Sequence, residues 1–140
     1  MLVADGEYRA RKVIHGLLLA IGCTKIHEAR NGTETLESIA SLASDVLLLD
    51  WMLPDMNGPE FLRRLHSTVP AQIANVPVIM MAGHDQRAYV LEAVRLGVHE
   101  FLLKPVSITA LQERLASALD KSLTLRRAQQ ASRQARKLAS

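Results

Sequence analysis

Apolar residues gather in short bursts along the chain, and between the bursts they recur every three or four positions. The clearest burst is Val46-Leu47-Leu48-Leu49, which runs into Asp50 without a polar break. A run this short suits a strand buried on both faces, as in a parallel sheet under two layers of helices. Similar runs predict a first strand over 1–4, broken by Asp5-Gly6-Glu7, and a second over 25–29. A fourth is predicted over 77–81 and a fifth over Glu100–Leu103, ended by Lys104-Pro105. Pro77 stands at the first residue of its strand, where a missing N–H is tolerated.

Between the strands the period becomes helical. Val13, Leu17, Leu18 and Ile21 predict a first helix, closed by Gly22. Asn31-Gly32 reads as a turn, with Thr33 capping a second helix that carries Leu36, Ile39, Ala40 and Leu42. Leu53-Pro54-Asp55-Met56-Asn57-Gly58 reads as a turn, and a third helix over 58–65 directs Phe61, Leu62 and Leu65 inward. A fourth helix spans 86–96 and stops at Gly97. Ser107 caps a fifth, with Ile108, Leu111, Leu115 and Leu119 inward. Five strands alternating with five helices over residues 1–120 imply right-handed βαβ units and an α/β, doubly wound parallel sheet.

Composition narrows the class. The 140 residues suit one domain with a substantial core, and an apolar content of 49% places the chain among globular proteins. A lone cysteine, Cys23, excludes an internal disulfide framework and fits a reducing cytoplasm. No apolar run approaches the ~20 residues of a membrane span. The stretch 13–21 follows basic residues but is interrupted by His15 and Gly16, so it reads as a buried amphipathic helix and not a signal peptide. There is no Gly-rich phosphate loop, which argues against nucleotide binding.

Charge is uneven. The net +3 conceals a segment, 121–140, that holds Lys121, Arg126, Arg127, Arg133, Arg136 and Lys137 and no acid. The body before it is mildly acidic. Ala128, Ala131, Ala135 and Leu138 make a thin apolar stripe on this basic segment, which is expected to be a helical extension of a domain over 1–120. Charge without aromatics or a motif argues against direct nucleic-acid contact.

Three predicted strands end on polar side chains: Asp5, Asp50 and Lys104. With the first strand beside the third, these ends converge where open α/β sheets place their chemistry. Two carboxylates and a lysine suit phosphoryl transfer. A divalent cation takes one or two carboxylates plus phosphate oxygens, a lysine supplies a point charge, and a carboxylate can itself be the nucleophile. Trp51 could pack over the mouth of such a pocket or merely shield a surface. His15, His27, His66, His84 and His99 show no ligand spacing, although His84, two residues past Ala82, could approach the rim.

Residues 1 to about 120 resemble the receiver domain of two-component response regulators. The resemblance rests on Leu48-Leu49-Asp50-Trp51-Met52-Leu53-Pro54-Asp55-Met56-Asn57-Gly58 and on Phe101-Leu102-Leu103-Lys104-Pro105. It implies a flavodoxin-like strand order 2-1-3-4-5 and a signalling module, not an enzyme. It implies phosphorylation of Asp50 by a histidine kinase or phosphotransfer protein, with Mg²⁺ held by Asp5, Asp50 and the Met52 backbone carbonyl. Lys104 would contact the phosphoryl group, through a cis bond to Pro105, and Phe101 falls at the aromatic switch position. A downstream protein would bind the face of the fourth helix, fifth strand and fifth helix.

The chain departs from the family pattern twice. The family has two adjacent acids after the first strand, and here they read Asp5-Gly6, so a direct metal ligand is missing. Glu7 could reach back, but from one residue further along. The family has Thr or Ser at the end of the fourth strand, and here it is Ala82. These departures weaken Mg²⁺ and the switch, and they leave a second function class open: an unphosphorylated pseudo-receiver that serves as a protein-docking module.

Overall fold

The computed structural model describes residues 1–139, apart from the side chains of Gln72, His84, Arg87, residues 122–127 and Gln129. The approach of His84 to the rim therefore lies outside the described residues. Five strands, β1 (Leu2–Ala4), β2 (His27–Ala29), β3 (Leu47–Asp50), β4 (Val78–Ala82) and β5 (Glu100–Leu103), form one sheet in the order β2-β1-β3-β4-β5. Every pair is parallel, with Ala4 opposite Leu49 and Asp50 opposite Met81. The expected flavodoxin-like order is the one found.

The strands alternate their side chains between two cores. Leu2, Ala4, Leu47, Leu49, Val78 and Met80 face one layer of helices, α2 (Gly32–Ser41), α3 (Gly58–Thr68), the single turn α4 (Ala71–Ala74) and α5 (Val90–Arg95). Val3, Leu48, Ile79, Met81 and Leu102 face the other layer, α1 (Tyr8–Ala20) and α6 (Ile108–Ala139). That double burial is why β3 and β4 read as unbroken apolar runs and not as alternating ones. Leu47, Leu48 and Leu49 are all fully buried, and each contributes about 1.5–3 kcal/mol by leaving water.

Several local expectations need correction. In α1 Leu18 is buried and Leu17 and Ile21 are partly buried against the core, as expected, but Val13 is exposed and Ile14 and Arg11 are buried instead. Asn31, not Thr33, caps α2: its side chain accepts the Glu34 N–H, and Gly32 already belongs to the helix. Ala40 faces solvent and Thr35 is buried in its place. The expected fourth helix is two pieces, a 3₁₀ segment (His84–Tyr89) running into α5. In α6, Ile108 and Leu119 are exposed and Ala118 is buried. Ser107 does cap α6, accepting the Ala110 N–H at 3.1 Å. Gly22 and Gly97 close α1 and α5 with φ of 97° and 93°, a conformation that disfavours any residue with a Cβ.

Candidate functional site

The carboxyl ends of β1, β3 and β5 bring Asp5, Asp50 and Lys104 into contact. Asp5 is fully buried, directly beyond β1, and each of its polar atoms is held. Its Oδ1 accepts the Glu7 N–H at 2.9 Å and its Oδ2 accepts from Lys104 Nζ at 2.8 Å. Its carbonyl accepts from Arg11 Nη1 at 2.8 Å, and its own N–H donates to Ala29 at 3.1 Å. Asp50 ends β3, and its Oδ2 lies 3.1 Å from the same Lys104 ammonium. Lys104 reaches both acids from the loop after β5, where its peptide bond to Pro105 is cis.

The electrostatics differ between partners. Burial pushes the Asp50 carboxyl up to about 6; Lys104 opposes that rise and Asp5 adds to it. Burial alone would lower the Lys104 ammonium, but the two carboxylates outweigh it and hold its pKa above the ordinary lysine value. A carboxylate of raised pKa is a better nucleophile than an exposed one. It needs a nearby cation to remain ionised in a half-buried site, and Lys104 supplies that charge.

The remaining expected residues fall around this centre. Glu7 is exposed and engages Asp5 through its backbone N–H. The Met52 side chain is 53% exposed two residues beyond Asp50. Ala82 is buried at the end of β4, and its carbonyl accepts the Lys104 N–H at 2.9 Å. Phe101 is half-buried against the core layer of α2, α3 and α5. Trp51 is buried, and Tyr89 stacks on it.

Gly6 sits tightly against a neighbouring loop. A Cβ at this position would lie 2.7 Å from Cδ and 2.8 Å from Cγ of Pro54. A proline ring is stiff, so the loop itself would have to move. Asp55 ties that loop down: its carboxylate accepts the N–H groups of Gly32 and Thr33 at 2.7 and 3.0 Å and the Thr33 hydroxyl at 2.8 Å. These bonds sit at the amino end of α2 and lower the Asp55 carboxyl, against the upward effect of burial.

Two carboxylates on neighbouring strand ends fit a hard divalent cation in kind. They fall short in number, because among the described residues no cluster of three or more His, Cys, Asp or Glu side chains is placed to hold a metal. Receiver domains typically bind Mg²⁺ in this acidic pocket.

The supporting roles of Arg11 and Asp55 are not read from the motifs. Arg11 is buried and bridges the Asp5 carbonyl to Glu28, with Nε 3.0 Å from Oε1. Glu28 also takes Lys12 and His15 and is held down at about 2, its side-chain hydrogen bonds with Lys12, His15 and Arg11 overcoming its burial. The available signal was a charged residue on the stripe Arg11, Ile14, Leu18, where an apolar one is expected. Asp55 gave no comparable signal, because its partners lie on another helix.

The fold and this trio of side chains define a receiver module of two-component signalling. The chain belongs to the response regulator receiver domain family, whose model matches residues 1–116. It is 30% identical over 120 residues to the chemotaxis protein CheY1 of Helicobacter pylori, covering 85% of this chain and 95% of that one. It is 29% identical to CheY of Pseudomonas aeruginosa, covering 86% and 96%. Among solved structures, NtrX from Brucella abortus matches with a TM-score of 0.81 and 26% identity, over 93% of this chain but only 28% of that one. A response regulator receiver domain protein from Clostridium thermocellum matches with a TM-score of 0.76 and 27% identity, over 89% and 96%. Among the described residues no helix is long and apolar enough to cross a membrane.

Proposed function

We propose that the chain is a phosphorelay receiver in which Asp50 accepts a phosphoryl group from the phosphohistidine of a histidine kinase or phosphotransfer protein. The observation that carries this is the lysine bridge: Lys104 Nζ lies 2.8 Å from Asp5 and 3.1 Å from Asp50 at the carboxyl edge of the sheet. An Asp50 oxygen attacks phosphorus, the P–O bond forms as the P–N bond to the imidazole breaks, and the histidine leaves with the electron pair. Lys104 offsets negative charge on the phosphoryl oxygens. Asp5, Asp50 and the Met52 carbonyl would hold Mg²⁺, which when bound neutralises phosphoryl charge. With no carboxylate at position 6, the site would hold Mg²⁺ weakly, and Lys104 would offset a larger share of the phosphoryl charge.

The chain is a signalling module of the cytoplasm and not an enzyme that turns over a substrate. Residues 1–120 form the receiver unit, and the basic segment 121–140 extends its last helix. The phosphoryl group shifts a two-state equilibrium in the face built by α5, β5 and α6, where Leu91, Val94 and Leu103 are exposed for a downstream protein. The lack of a hydroxyl at Ala82 weakens that shift, and Phe101 on β5 serves as the aromatic that follows it.

Incubation with acetyl phosphate, with and without Mg²⁺, followed by intact mass, tests the reading. One phosphoryl adduct is expected, more with Mg²⁺ than without, and none in Asp50→Asn. The contact between a Cβ at position 6 and Pro54 favours a second reading, the pseudo-receiver that docks a protein without phosphorylation. No adduct under either condition would overturn the phosphorelay reading and favour the pseudo-receiver.

A further inference from the structure

The Tyr89 ring stacks on Trp51 with centroids 5.0 Å apart and planes 21° from parallel. Trp51 follows Asp50 directly in the chain. Its N–H donates to the Met81 carbonyl at 2.8 Å, and its own carbonyl accepts the Gly58 N–H at 2.6 Å. These bonds tie the Trp51 backbone to the tip of β3 that carries Asp50, and burial holds its indole. Tyr89 is the last residue of the 3₁₀ segment and precedes α5 directly.

Little else fixes α5. The helix has six residues and no side-chain bond at its amino cap, too short to persist without packing. Ala93 is its one buried residue among those described. Its ion pair to α3, Arg63 to Glu92, is exposed and 3.5 Å long, which is weak. An open cleft of about 580 Å³, lined by Trp51, Met52, Arg63, Gln86, Tyr89 and Glu92 among others, lies beside the stacked rings and gives Tyr89 room to swing. Tyr89 is 47% exposed, whereas Trp51 under it is 4% exposed, so Tyr89 is the partner with space to move into.

We infer that Tyr89 is the positioning residue through which the state of Asp50 reaches α5, in place of the hydroxyl that position 82 lacks. The inference rests on the reading of Asp50 as the group whose state matters. A change of charge at Asp50 alters its bond to Lys104 and the seating of the β3 tip. The indole moves with that tip, the stacked ring follows, and α5 begins at the ring. Packing of aromatic faces is strong enough to transmit such a shift and weak enough to be reset.

The test is a double-mutant cycle on the full chain: wild type, Asp50→Asn, Tyr89→Leu and the pair. It is read by hydrogen exchange of amides 90–95 and by emission of Trp51, the only tryptophan. No phosphodonor is needed. Asp50→Asn is expected to change exchange in α5 about five-fold with Tyr89 present, within the usual span of couplings between sites. In the Tyr89→Leu background the change should fall below about two-fold. Tyr89→Phe, which keeps the ring, should restore the response, and Tyr89→Met repeats the cycle if leucine perturbs folding. Equal responses with and without the ring, or no response of α5 to Asp50→Asn, overturn the inference. Acetyl phosphate labelling of wild type and Tyr89→Leu, read by intact mass, reports separately on Asp50 as the acceptor. A missing adduct beside an intact cycle removes phosphorylation and keeps the coupling.

Discussion

At the end of β1, Asp5 is wholly buried and held by a backbone N–H, a lysine and a buried arginine on its carbonyl. At the ends of β3 and β4 the backbone is bonded, but the side chains of Asp50 and Tyr89 have fewer ties. Asp50 is half-buried and shares the lysine at a longer distance, and past Ala82 the chain enters a 3₁₀ segment whose Tyr89 is half in solvent. One rim is over-determined and the other is loosely held. On the proposed reading both are useful: a fixed charge beside which Asp50 is positioned, and a poorly anchored element whose equilibrium the state of Asp50 would bias. Gly6 and Ala82 fall one on each rim. Gly6 is sterically locked by Pro54, whereas Ala82 adjoins the loose segment.

The largest effect is expected at the residue both rims share. Lys104→Met leaves two carboxylates at a buried edge without their cation. It should cost about 3 kcal/mol at pH 7, measured by urea unfolding. A loss below about 1 kcal/mol would mean that backbone bonds, and not charge, hold the β1 rim. Next in size is Gly6→Asp. The new Cβ must displace the Pro54 ring that Asp55 holds in place, at a cost of about 1–3 kcal/mol. Mg²⁺ affinity, followed by Trp51 emission, should stay at the wild-type level in the single variant and rise in Gly6→Asp with Pro54→Ala. A single variant as stable as wild type that binds Mg²⁺ more tightly would show that the lock is not real.

Much of this was legible in the sequence. The run 46–49 ending at Asp50, and the polar residues at three strand ends, suffice to bring Asp5, Asp50 and Lys104 together, because strand order places the ends and the side chains need only reach. The faces of short helices were less legible. In α1 either of two neighbouring stripes is apolar, and the choice of Ile14 over Val13 is made by packing on Val3 and Leu48, distant in sequence. The single turn Ala71–Ala74 and the 3₁₀ segment are too short for a period to register. The contact between Gly6 and Pro54 could not be read at all. A glycine shows what it lacks and not what occupies the space, and that space is filled by a loop from another strand, pinned in turn by a third element.

The smallest effect separates the two acids by sign. Asp50 is raised to about 6 from an ordinary 3.8, chiefly by burial. Below the lower value the carboxyl is protonated in both folded and unfolded chains, and its contribution to stability is complete. Between about 4 and 6 the unfolded chain has released the proton while the folded chain still holds it, so stability falls as pH rises, and the loss is complete above about 6. Asparagine carries no such charge. Asp50→Asn should therefore gain about 1–2 kcal/mol on wild type between pH 4 and pH 7, allowing for solvent that reaches the half-open rim. Asp5→Asn should do the reverse at pH 7 and destabilise, because it weakens a charge-assisted bond at a fully buried position. Urea midpoints of the two variants across this window decide the matter. A flat difference for Asp50→Asn, or the same sign for both, would mean that the two rims are held alike and that the loose one has no stored bias to release.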